Sequence, residues 1–216
     1  MIKVNQLTKQ YPKSSHPVFK DLSFSLDAGQ SMALCGQSGS GKSTLIGLLC
    51  GLDSTTSGEI ILNNTSFHDL SLEEKSDFRA KFMSLVFQQV TLVPYLNVIE
   101  NITLPSLYTD KKIDESDVDH SLKQMNLMSV KYQFPHELSI GQAQRICLIR
   151  TLITRPKIIL ADEPTGALDP PNAAFIFQLL TDYCKTNQAG VIIATHDWSL
   201  AEQCDHQLWL TPRDAK

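Results

Sequence analysis

The chain has 216 residues, 42% of them hydrophobic and 19% charged, with a formal net charge of −4. This is the balance of an ordinary globular protein of one large domain, or of a core with a small subdomain, and its acidic sign argues against general nucleic-acid binding. No apolar run approaches the roughly 20 residues needed to cross a bilayer, and Met1–Gln6 leads into a strand-like segment instead of an apolar signal core, so a cytoplasmic chain is expected.

Ile2, Val4 and Leu7 open a strand pattern, a polar turn runs from Pro12 to Pro17, and Val18–Leu26 sets Leu22, Phe24 and Leu26 on one face. Such alternation predicts an antiparallel sheet. Ser31–Cys35 is a short apolar strand running into glycines, Lys42–Leu49 a helix, and Ile60–Leu62 another short strand. Leu72–Ala80 is charged and helical in pattern, and Met83–Phe87 reads as a buried strand. From Gln89 to His136 the pattern is helical, broken by Pro94, Pro105 and Pro135, with Asp110–Asp119 a loop passing into a helix. Beyond it, helices Gln142–Ile153, Asn172–Thr186 and Trp198–Gln203 alternate with strands Ile158–Ala161, Val191–Ala194 and Gln207–Leu210. Strands alternating with helices predict a parallel sheet covered on both faces. Cys35, Cys50, Cys147, Cys184 and Cys204 have no metal-ligand spacing and are expected to be reduced, packed thiols.

Gly36-Gln37-Ser38-Gly39-Ser40-Gly41-Lys42-Ser43 fits the phosphate-loop pattern at every fixed position, with a strand before it and a helix after it. Glycines let the backbone wrap closely and aim N–H groups at phosphate oxygens, and the helix N-terminus adds its positive end. Lys42 is expected to reach the β- and γ-phosphates, Ser43 to ligate Mg²⁺, and Thr44 to support it. The motif predicts nucleoside triphosphate binding without choosing among kinases, GTPases and motor ATPases.

Ile158–Ala161 ends in Asp162-Glu163. Strand C-termini of a parallel sheet face the ligand crevice, so Asp162 is expected to hold Mg²⁺ through water. Glu163 would orient, or take a proton from, the water attacking the γ-phosphate. His196 follows strand Val191–Ala194 and is placed at the same edge as a γ-phosphate contact. Gln88, at the end of Met83–Phe87, is placed there too, touching Mg²⁺ or the attacking water and reporting to the helical segment. The expected fold is thus α/β: a P-loop NTPase core with a mixed or parallel sheet, an N-terminal antiparallel β-subdomain and an inserted helical subdomain. Residues 1–88 and 137–216 form the core of one ATPase domain and 89–136 the insert.

Glu137–Arg145, ELSIGQAQR, reads as a second helix start with anion-binding capacity. Ser139 is the N-cap and Gln142 completes a capping box. The ordered set GQSGSGKST, VFQQ, LSIGQAQR, IILADEP, GALD and THD resembles the ATP-binding subunits of ABC transporters over nearly the whole chain. The resemblance implies ATP and Mg²⁺ as cofactors. It assigns Tyr11 to stacking on adenine, Gln88 to the Q-loop, Glu163 to the catalytic glutamate, Gly166-Ala167-Leu168-Asp169 to the D-loop and His196 to the switch histidine. It also implies that Ser139, Gly141 and Gln142 bind the γ-phosphate of ATP held by a second subunit, so that two nucleotides join two ATPase subunits. Ile140 departs from the family's glycine. Its N–H remains, but a β-branched side chain could crowd the partner.

The same resemblance implies transmembrane permease partners, no nucleic acid, and a peripheral position on the cytoplasmic face of the inner or plasma membrane. FQQVTLVPYLNVIENITLP and DEPTGALD look most like the lipoprotein-releasing and macrolide-exporting branch, which includes the cell-division ATPase. Val90–Leu96 is the expected docking surface, and no regulatory C-terminal domain is expected. The alternatives are an importer subunit, a soluble ABC-type ATPase of repair or translation, or a small-molecule kinase. Against the soluble type stand the missing coiled-coil insertion and the single core, and against the kinase stand the signature and His196.

Overall fold

The computed structural model describes residues 1–87, 91–109, 111–166 and 168–210. Chain order runs β1 (Ile2–Lys9), β2 (Phe19–Leu26), β3 (Ser31–Cys35), α1 (Lys42–Leu49), β4 (Ser57–Leu62), β5 (Thr65–Ser66), α2 (Leu72–Phe82) and β6 (Met83–Phe87). It continues through α3 (Val98–Thr103), α4 (Glu115–Gln124), α5 (Ile140–Leu152), β7 (Ile158–Asp162), α6 (Pro170–Asn187), β8 (Gly190–Ala194), α7 (Trp198–Ala201) and β9 (His206–Trp209). Among the described residues no helix is long and apolar enough to cross a membrane.

Strands β2-β1-β4-β5 form an antiparallel sheet, and β6-β7-β8-β3-β9 form a second sheet whose paired strands all run parallel. The two strand chemistries differ as the sequence predicts. β1 alternates Ile2 and Val4 inward, then a bulge at Gln6, with φ of 47°, shifts the register and turns Leu7 and Lys9 to the core. Leu22, Phe24 and Leu26 share one face of β2, with only Leu26 fully buried.

The central parallel strands β3, β7 and β8 are largely apolar because each faces two cores, whereas the edge strand β9 is mostly exposed. Met32 and Leu34, Ile158 and Leu160, and Ile192 and Ala194 pack with α1 and the antiparallel sheet. The intervening Ala33, Cys35, Ile159, Ala161, Val191 and Ile193 pack on the opposite face with α5 and α6.

The segment read as helical from 89 to 136 is less helical than its pattern. Among its described residues, only α3 and α4 are α-helices, with single 3₁₀ turns at Leu104–Leu107 between them and at Met128–Val130 and Pro135–Glu137 after them. Pro105 and Pro135 sit in two of those turns, where a missing N–H stops helix propagation. Asn101, fully buried, holds the preceding loop. Its side chain accepts from Val93 N at 2.7 Å and donates to Val93 O at 3.1 Å and Leu96 O at 2.8 Å. Val98, Ile102, Val118 and Leu122 join Ile146 and Ile149 of α5 in one core. All other predicted elements are present with small end shifts: α5 and α6 begin two residues earlier than read, and α7 ends at Ala201 instead of Gln203.

Candidate functional site

The parallel register builds the site. Phe87 pairs with Asp162, Asp162 with Ala194, Ala194 with Leu34, and Leu34 with Leu208, so the strands end in one row. The chain leaving this row carries the phosphate loop after β3, Glu163 after β7 and Thr195-His196 after β8. Gln88, which follows β6, lies outside the described residues, as does Ala167, expected in the D-loop.

Gly36 turns the chain out of β3 with φ of 150°, and a Cβ there would meet Leu210 O at 2.4 Å. Gln37, Ser38 and Gly39 are open to solvent and Ser40 is buried, its Oγ without a hydrogen-bond partner among the described residues. Gly41 is the N-cap of α1, with φ of 98° and no side-chain cap, so the first N–H groups of the helix are free for an anion. Buried Lys42 folds back over the loop, its Nζ donating to Gly36 O at 2.9 Å and Gln37 O at 3.2 Å. Ser43 is exposed and Thr44 half-buried on the first turn.

Three of the expected residues converge. Lys42 Nζ lies 3.9 Å from Glu163 Oε1, and His196 Nδ1 lies 3.6 Å from Glu163 Oε2. Glu163 is held in the left-handed region, φ 48°, by its N–H bond to Ala194 O at 3.0 Å. A left-handed non-glycine residue stores backbone strain of about 1–2 kcal/mol, a common feature of functional positions. His196 is well exposed, while its neighbours fix the segment. Asp197 N donates to Thr195 Oγ1, and Asp197 Oδ1 caps α7 through Ser199 N and Leu200 N. The Ser199 hydroxyl foremost holds the Asp197 carboxyl below its usual range. A cavity of about 170 Å³ separates the phosphate loop from Thr195–Trp198.

Asp162 Oδ1 is buried with no hydrogen-bond partner among the described residues, at the end of the same strand row. An orphaned carboxylate oxygen and the exposed Ser43 hydroxyl are hard oxygen donors of the kind Mg²⁺ takes.

Tyr11 lies in the turn after β1, with its hydroxyl bonded to Asp53 Oδ2 at 2.9 Å. The turn reaches the phosphate loop: Val18 N donates to Lys9 O at 2.7 Å, and Val18 Cγ1 fills the space where a Gly41 side chain would be. Sequence reasoning passed over Lys9, Val18 and Asp53. The shared strand parity of Leu7 and Lys9 is the signal that marks Lys9 as inward-facing.

The second helix start is formed as read. Gln142 N donates to Ser139 Oγ at 3.2 Å and Ser139 N to Gln142 Oε1 at 2.8 Å. Ile140 is the first helical residue, 67% exposed, and Gly141 sits near Asn172 of α6. Among the described residues, no hydrogen bond or ion pair joins Ser139–Gln142 to the phosphate loop of the same chain. All five cysteines are free, and burial pushes their thiols up, to about 11 at Cys184 and about 12 at Cys204. They are protonated packing groups, though Cys147 is only half-buried.

Residues 19–166 match the ABC transporter family. The chain is 37% identical over 210 residues to the lipoprotein-releasing system ATP-binding protein LolD of Treponema denticola, covering 95% of this chain and 92% of that one. It is 38% identical over 215 residues to LolD of Hydrogenovibrio crunogenus, covering 98% and 94%. Its fold superposes with a TM-score of 0.87 on the ATP-binding cassette MJ0796, solved as a dimer in a post-hydrolysis state with ADP and Pi, at 31% identity over 99% of this chain and 97% of that one. Coverage and identity of this extent, on a strand edge that gathers Lys42, Glu163 and His196, make the chain a member of the ABC transporter family, an ATP-binding and ATP-hydrolysing cassette.

Proposed function

We propose that this chain is the ATPase subunit of a lipoprotein-releasing or related extrusion system, working as an ATP-joined pair on transmembrane permease subunits at the cytoplasmic membrane face. The observation that carries the catalytic part is the convergence of Lys42 and His196 on Glu163. The likeness to LolD proteins supports the transporter branch.

Residues 1–88 and 137–216 form the catalytic core, and 89–136 form the helical insert. The phosphate-loop N–H groups from Gly36 to Thr44 and the Lys42 ammonium bind and orient the phosphates. Tyr11 stacks on adenine. Ser43 and Asp162 would hold Mg²⁺, with Gln88 completing the set, and the bound ion would supply positive charge to offset that of the phosphates. Glu163 positions the attacking water and takes its proton, its carboxylate lying between Lys42 and His196. His196, exposed beside that carboxylate, contacts the γ-phosphate. Ser139, Gly141 and Gln142 bind the nucleotide of the partner subunit. The exposure of Ile140 leaves it open to a contact across the dimer.

The permease-docking surface needs redrawing within this reading. Val90 is outside the described residues, and Leu92 packs against the core, while Tyr95 is 86% exposed. A groove of about 460 Å³, lined by Arg79, Thr91, Val93, Leu104 and Tyr108 among others, borders this loop. A charge placed at Leu92 would therefore disturb packing before docking.

Glu163→Gln tests the reading. The variant is expected to bind MgATP, to lose roughly 100- to 10,000-fold in turnover as a removed general base does, and to accumulate as a dimer. Lys42→Ala is expected neither to bind MgATP nor to accumulate as a dimer. Tagged Glu163→Gln purified from membranes solubilised with MgATP should bring down a membrane subunit with a large extracytoplasmic domain. Normal turnover by this variant would overturn the role of Glu163, and purely soluble partners would overturn the transporter branch.

A further inference from the structure

Tyr11 does not project freely from its turn. Its hydroxyl donates to Asp53 Oδ2 at 2.9 Å, and the other oxygen of the same carboxylate receives Lys9 Nζ at 2.6 Å. That ammonium also donates to Ser54 O at 2.8 Å and lies 4.4 Å from the centroid of the Tyr11 ring. Asp53 is itself fixed, since its Oδ1 accepts Ser54 N at 2.7 Å. The arrangement is closed: strand β1 supplies the cation, the turn before β4 supplies the carboxylate, and the ring is tied to both.

Burial separates this from a casual surface contact. Lys9 is only 5% exposed, and a lysine is rarely buried to that degree without a partner. Tyr11 is 41% exposed, so its ring keeps an open side. Burial of the Asp53 carboxylate works to raise its pKa, but the Lys9 ammonium and the Tyr11 hydroxyl outweigh that and hold it below the usual carboxylate range. The network therefore stays charged at neutral pH. The network is tied to the phosphate loop through one residue: Val18 N donates to Lys9 O, and Val18 packs where a Gly41 side chain would be.

We propose that Asp53 and Lys9 are positioning residues for the nucleotide base: Asp53 locks the Tyr11 ring through its hydroxyl, and Lys9 covers one ring face, leaving the other for a purine. This rests on the reading of Tyr11 as the adenine contact. A ring already locked loses little freedom when a base stacks on it, and pre-ordering of this kind raises affinity. The cation behind the ring adds attraction for an electron-rich base stacked in front.

The test compares ATP with inorganic tripolyphosphate, which engages the phosphate loop and has no base. Dissociation constants are measured for the full-length wild type, Tyr11→Ala, Tyr11→Phe and Lys9→Met. Base–aromatic stacking corresponds to roughly 5- to 150-fold in affinity, the loss expected for ATP in Tyr11→Ala. Tyr11→Phe keeps the ring and the Lys9–Asp53 pair while severing the tether. It and Lys9→Met should each weaken ATP about three- to ten-fold, a partial loss of the same term, with tripolyphosphate unchanged. If Tyr11→Ala weakens ATP while Tyr11→Phe and Lys9→Met do not, the positioning inference fails and the adenine reading stands. If Tyr11→Ala leaves the ratio of the two ligands unaltered, the adenine reading fails and the inference falls with it. Parallel loss of both ligands in Tyr11→Phe or Lys9→Met marks a structural role only and also overturns the proposal.

Discussion

Gly41→Ala introduces one methyl group at the point where the phosphate loop becomes helix α1, and its cost divides into two parts. The first is backbone strain. Gly41 has φ of 98° and ψ of 12°, and an L-residue held in the left-handed region costs about 1–2 kcal/mol. The second is steric. The new Cβ would stand 2.5 Å from Val18 Cγ1 and 3.4 Å from Phe19 Cδ1. Val18 cannot simply step away, because its N–H is tied to Lys9 O at 2.7 Å. Overpacking of this kind costs about 1–3 kcal/mol. The total, about 2–5 kcal/mol, is within the 5–15 kcal/mol that holds a typical domain together. The variant should fold and be measurably weaker.

The two parts can be separated by a double-mutant cycle with Val18→Ala, using urea denaturation of the four proteins. Removing the Val18 methyls should relieve the steric part, giving a favourable coupling of about 1–3 kcal/mol, and leave the backbone part in place. ATP affinity should then stay low in the double variant, since the helix N–H groups are still displaced. Additivity within about 0.5 kcal/mol would refute the reasoning, because it would mean that Val18 is not what the methyl meets.

Other consequences concern the loop and sheet that frame the site. Asn101→Ala removes the acceptor of Val93 N and the donor to Val93 O and Leu96 O; a destabilisation of about 1–3 kcal/mol and faster amide exchange at Val93 are expected, and unchanged exchange would refute the stitching role. Asp205 links β3 to β9: its Oδ2 accepts Ser31 N at 2.8 Å and Ser31 Oγ at 2.7 Å, and the Ser31 N–H foremost holds its carboxyl below the usual range. A depressed carboxylate contributes stability above its unfolded pKa and loses it as pH falls through the folded value. The stability gap between wild type and Asp205→Asn should thus be full at neutral pH and shrink below about pH 4; a gap constant down to about pH 3 would refute the linkage.

Local chemistry was written plainly in the chain. The phosphate loop follows from fixed residue types at fixed spacing, and the Ser139–Gln142 capping box formed as read because both partners lie within one helical turn. The apolar runs at Ser31–Cys35, Ile158–Ala161 and Val191–Ala194 were legible as parallel strands because both faces of each are covered. The segment from 89 to 136 was less legible. Its helical periodicity is interrupted by prolines and by a loop that Asn101 pins through side-chain bonds to backbone groups five and eight residues back, and periodicity does not report such bonds.

The sequence by itself determined the phosphate-binding loop and the fold class, since residue types at fixed spacing set the loop and apolar runs between helices mark strands covered on both faces. Only the tertiary structure decided which side chains meet. Parallel register brought Asp162 level with Ala194 and so set Glu163 between Lys42 and His196, residues 121 and 33 positions away along the chain by their numbers. The Lys9–Tyr11–Asp53 network depended equally on a strand and a turn separated by more than forty positions. Such contacts leave no local period, because they arise from sheet register and from burial that closes only when the whole chain has folded.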